Sequence, residues 1–131
     1  MEYLKLFENY HESLFKKVDG DERHKYVTEK GYQDFHTSDI SYLKKELWDD
    51  SLYNIIKEGP RSFEFWYMGN LLKLSGDYEF KIYKLSDEYF IVDIWFLPYG
   101  RTPQRKFLGH YLCDQIDGLN DFIKHVSELG L

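Results

Sequence analysis

The sequence predicts an α+β fold: two N-terminal helices, an antiparallel meander of four to five strands and a C-terminal helix, with the helices mainly on one sheet face. Three observations carry this. Apolar residues recur at helical spacing near the start of the chain and again beyond Thr37. After Pro60 the composition turns to Tyr, Phe, Ile and Val in short runs separated by polar or glycine-bearing links. Helical spacing returns from residue 114. A chain of 131 residues fits one domain, residues 1–131, with one core.

In residues 2–18, Tyr3, Phe7, Tyr10, Leu14 and Val18 follow the helical period and predict an amphipathic first helix. Residues 19–39, DGDERHKYVTEKGYQDFHTSD, hold no sustained apolar period and read as a long connector. Thr37 or Ser38 is a suitable N-cap for a second helix bearing Ile40, Leu43 and Leu47. Asp49, Asp50 and Ser51 can recap a continuation through Leu52, Ile55 and Ile56, which Gly59-Pro60 must end.

The runs SFEFWYM, LLKL, YEFKIYKL, YFIVDIWFL and KFLGHYLC read as strands. Gly69-Asn70, Ser75-Gly76-Asp77 and Ser86-Asp87-Glu88 read as their links. A three-residue link that pairs Leu85 with Tyr89 sets Lys81 opposite Asp93 and Tyr83 opposite Ile91. Strand alternation then gives Tyr78, Phe80, Ile82, Phe90, Val92, Ile94 and Phe96 to the helices. Lys81, Tyr83, Tyr89, Ile91, Asp93 and Trp95 fall on a second, aromatic but polar face, and a one-residue slip would exchange the two. Ile116, Leu119, Ile123 and Val126 place the last helix on the first of these faces.

Seventeen basic against 23 acidic side chains give a net charge of −6, which disfavours phosphate backbones and anionic membranes as partners. The single cysteine forms no internal disulfide, and the polar N-terminus lacks a signal-peptide core, so a cytoplasmic setting is expected. The longest apolar run is interrupted by Asp93 and closed by Pro98, far short of a membrane span.

No motif specifies a chemistry. HESLF, residues 11–15, starts like a zinc-protease helix but has Phe15 in place of the second histidine, and VDGDER lacks the later ligands of a calcium loop. No metal, cofactor or catalytic residue is assigned. Cys113 precedes the last helix, yet His110 lies three strand positions away and so faces the opposite side. Cys113 therefore reads as a packing residue and Asp114 as the helix N-cap. Asp93, inside FIVDIWF, needs a partner if it is buried; Lys81 is one candidate, and His110 is another if its strand lies alongside.

The loop PYGRTPQRK, restrained by Pro98 and Pro103, carries Tyr99, Arg101, Arg105 and Lys106, a basic patch in an acidic chain. The expectation is a small intracellular protein-binding module. It would use Tyr83, Tyr89 and Trp95 on the open sheet face, with Tyr99, Arg101 and Arg105 of the loop, to engage a partner with an acidic surface segment. The alternative is an enzyme or small-ligand domain with a pocket around Asp93 and His110. In size, acidity and aromatic content the chain is similar to phage or viral accessory proteins, some of them inhibitors, and to toxin-neutralising immunity proteins. That likeness is one of general character and carries no motif.

Overall fold

The computed structural model describes residues 15–48, 53–68, 76–100 and 104–125. Along these the order is β1 (Phe15–Val18), α1 (Gly20–Lys30), α2 (Thr37–Trp48), β2 (Tyr53–Glu58), β3 (Phe63–Tyr67), β4 (Gly76–Lys84), β5 (Tyr89–Pro98), β6 (Lys106–Asp114) and α3 (Gln115–His125). The strands form one six-stranded sheet in the order β1-β6-β5-β4-β3-β2. Every pairing is antiparallel. The α+β class with an antiparallel meander holds, with six strands where four to five were expected.

The register of the central hairpin follows from its link. Leu85 N–H donates to the Tyr89 carbonyl at 2.9 Å. Lys81 then pairs with Asp93 and Tyr83 with Ile91. The inner face carries Phe63, Phe65, Phe80, Ile82, Phe90, Val92 and Ile94, all buried. Two helices cover it, α2 through Leu43 and Leu47 and α3 through Leu119, Phe122 and Ile123. Removing each such side chain from water is worth about 1.5–3 kcal/mol. Phe65 stacks on Phe80 of the neighbouring strand at 4.7 Å, and Tyr111 against Phe122 at 4.7 Å ties the sheet to α3.

Four elements differ from the sequence reading. Phe15–Val18 is a strand, not the end of a helix, and pairs with β6 at the sheet edge; the rest of that expected helix, like the expected strand at 71–74, lies outside the described residues. The connector contains α1, whose N-cap Asp19 accepts a 2.8 Å hydrogen bond from Glu22 N–H. Asp21 and Glu22 in its first turn and Lys30 in its last complement the helix dipole, and Gly31, at φ 73°, ends it. It lacks an apolar stripe because none of its residues is buried. The expected continuation of α2 is instead β2, where Ile55 pairs with Phe65 and an irregularity between Ile55 and Lys57 leaves Ile56 half exposed. Gly76 and Asp77 belong to β4 and not to a turn.

Smaller shifts occur at helix starts. Thr37 is the first residue of α2, and Asp39 reaches back to accept from His36 N–H at 3.2 Å. Asp114 immediately precedes α3, but its carboxylate makes no capping hydrogen bond among the described residues.

Candidate functional site

The outer face of the sheet is not wholly open, because α1 lies over part of it. A second, smaller cluster of Val18, Leu85, Ile91 and Leu112 packs there against Tyr26 and Val27 of the helix. Two residues beyond Ile91 on the same face of β5 stands Asp93, 5% exposed. It sits opposite His110 in the β5–β6 ladder, and His110 Nδ1 lies 2.6 Å from Asp93 Oδ1. A carboxylate only accepts, so the Nδ1 proton is the donor. From above, Arg23 donates Nε–H to Asp93 Oδ1 at 3.0 Å and Nη2–H to Oδ2 at 2.9 Å. The bidentate fork and the imidazole together occupy both oxygens.

Burial disfavours the Arg23 cation, but the hydrogen bonds and charge of Asp93, with a smaller part from Tyr32, outweigh it and hold the guanidinium pKa above its ordinary value. The Arg23 guanidinium also lies over the rings of Tyr83 at 5.5 Å and Tyr32 at 6.0 Å. Burial, followed by the nearby Asp93 charge, pushes the Tyr83 hydroxyl pKa up. Sequence reasoning missed Arg23 and Tyr32. The available signals were the cap at Asp19 and the stop at Gly31, which mark a helix without saying what it covers.

Beyond the helix the outer face changes character. Trp95 lies between two cations, with the Arg105 guanidinium 4.3 Å and the Lys81 ammonium 5.3 Å from its ring centroid. Phe107, 47% exposed, meets Trp95 edge-on at 5.4 Å and His110 at 4.5 Å. An irregularity between Ile94 and Trp95 brings Phe107 opposite Trp95. Arg105 also pairs with Glu79 at 3.4 Å, and Lys81 with Glu64 at 3.8 Å.

The six residues singled out for partner binding therefore fall into separate groups. Tyr83 is beneath Arg23 and Tyr32, so it is part of the clasp that seats α1. Tyr89 lies under the Lys30 ammonium at 4.8 Å, near the far end of the helix. Trp95 and Arg105 share the uncovered end with Phe107. Tyr99 is about half exposed, and its hydroxyl donates to Asp77. Arg101 lies outside the described residues. Cys113 is fully buried on the inner face, away from His110, and burial pushes its thiol pKa well up.

Among the described residues no group of three or more His, Cys, Asp or Glu is placed to hold a metal ion, and no helix is long and apolar enough to cross a membrane. Comparison with protein-family models, with curated proteins and with solved structures returned no match.

Proposed function

We propose that this chain is a protein-binding module of the accessory-factor or inhibitor kind. The uncovered end of the outer sheet face, centred on Trp95, Phe107 and Arg105, would meet a partner bearing an acidic segment. One observation supports this reading above others: α1 is clasped over the Asp93 end of the face, while the Trp95 end keeps large aromatic surface and cations in reach of solvent. Aromatic and arginine side chains are the usual energetic centres of protein interfaces. In a chain of net charge −6, the cations an acidic segment would need stand at the Trp95 ring, though Arg105 and Lys81 each already share one carboxylate, Glu79 and Glu64.

The alternative, acid–base chemistry at His110 and Asp93, draws support from their 2.6 Å contact. Against it, both Asp93 oxygens are occupied and the Arg23 fork ties that carboxylate to the fold.

The test is affinity capture from the native host, quantified by mass spectrometry in parallel for the wild type, Trp95→Ala and the distant-edge control Ile56→Ser. A protein enriched by the wild type and the control but lost with Trp95→Ala is expected, with a cost of about 2 kcal/mol or more once affinity is measured. For that protein, Arg105→Glu should slow association at low salt and lose its effect at high salt. Identical captured sets for the wild type and a folded Trp95→Ala variant would remove the basis of the proposal.

A further inference from the structure

At the other end of the outer face, a cavity of about 270 Å³ is lined by Lys16, Tyr26, Tyr89, Leu112 and Asp114. Its construction follows from the register. Lys16 of β1 pairs with Leu112 of β6, and Tyr89 of β5 pairs with Asp114, so three strands supply one wall while Tyr26 of α1 supplies the roof. Leu112 is buried and forms an apolar floor.

The polar groups around that floor are not paired with one another. Among the described residues, the Lys16 ammonium, the hydroxyls of Tyr26 and Tyr89 and the Asp114 carboxylate have neither a hydrogen bond nor an ion pair. Lys16 has only the face of Tyr26, 5.8 Å away. A cation and an anion thus line the same small cavity without meeting, separated along the strand diagonal. Elsewhere on this face opposite charges do pair, as Lys81 does with Glu64 and Arg105 with Glu79.

We propose that this cavity binds a small zwitterion of the α-amino-acid class. Its carboxylate would pair with Lys16 and accept from a tyrosine hydroxyl. Its ammonium would pair with Asp114, the one carboxylate among the lining residues. A modest apolar side chain would rest on Leu112. The volume is at the small end for ligand sites, which suits a ligand of this size. A simple anion would meet repulsion from Asp114, and a simple cation would meet repulsion from Lys16. The site is separate from the Trp95 end of the face, so it does not rest on partner binding there.

The full chain, labelled with ¹⁵N, is titrated with a mixture of free L-amino acids and then with L-leucine, N-acetyl-L-leucine and L-leucinamide, each to about 10 mM, well above a millimolar dissociation constant. The expected result is saturable shifts of the Lys16, Tyr26, Tyr89, Leu112 and Asp114 amides with the zwitterion, and binding at least about tenfold weaker when either charge is blocked. Lys16→Met and Asp114→Asn should each abolish the shifts while the remaining spectrum is retained. The proposal is overturned if the amino-acid mixture leaves these amides unmoved, or if the acetylated or amidated compound binds as well as the free amino acid. The wild-type titration decides this even if a variant fails to fold.

Discussion

Arg23 and Asp93, 70 positions apart, meet through a two-bond fork at 3.0 and 2.9 Å, and this contact seats a helix on a sheet face that would otherwise be open. The helix buries none of its residues, so apolar packing alone holds it weakly. The charge pair supplies position, with His110 as the third member.

Arg23→Leu should therefore destabilise the domain by about 3 kcal/mol, because it leaves a buried carboxylate without its main counter-charge. The urea midpoint measures the loss. Amide exchange should locate it, with α1 amides accelerated more than those of β4 and β5. Arg23→Lys should recover only part of the loss, since an ammonium does not reproduce the planar fork. Unchanged α1 exchange in Arg23→Leu would show that the pair does not seat the helix.

Stability should fall on the alkaline side. Burial raises the pKa of Cys113 well above 9.0 and those of Tyr78, Tyr83 and Tyr111 above 10.0. Burial opposes the Lys84 cation, but Asp39 and Asp87 more than compensate, so its pKa also lies above 10.5. In every case the folded form keeps a proton that the unfolded chain releases, so the stabilisation is complete below the ordinary pKa and is lost as pH rises through the folded one. Each such group contributes a slope of up to about 1.4 kcal/mol per pH unit. Urea midpoints should decline from about pH 9, where the thiol window opens, and Cys113→Val should remove that first part of the decline. Native Cys113 should resist thiol reagents until the chain unfolds.

Lys84 is 1% exposed and bonded to Asp39 at 2.6 Å and Asp87 at 3.1 Å, joining the end of β4 to the first turn of α2. Lys84→Met should cost about 3 kcal/mol by leaving the Asp39 carboxylate unpaired. Adding Asp39→Leu should restore a good part of this, and additive losses in the double variant would refute the coupling.

Gly76→Ala should destabilise the β4–β5 hairpin by about 1–3 kcal/mol. A Cβ there would run into the Leu97 backbone oxygen and the Phe96 ring. The backbone atom cannot swing aside as a flexible side chain would. A thermal midpoint equal to that of the wild type would show that the hairpin can shift to accept a methyl group.

The sequence by itself determined the α+β class, the start of the helix at Thr37 with its apolar face, the inner face of the sheet and the register that sets Lys81 opposite Asp93. These rest on local information: a helical period around Leu43 and Leu47, strict alternation from Tyr78 to Phe96, and a link of fixed length. Tertiary structure decided β2, because Ile55-Ile56 has no period of its own and is drawn into the sheet by pairing with β3. It also decided α1. Asp19, Lys30 and Gly31 signal a helix start and stop, but a helix held by one salt bridge and half-buried rings shows no apolar stripe. The same reason hid the candidate sites. Alternation in the meander places Asp93 and His110 on one face, but that Arg23 closes over them, leaving Trp95 and Phe107 uncovered and a cavity beside Lys16 and Asp114, depends on contacts between residues far apart in the chain.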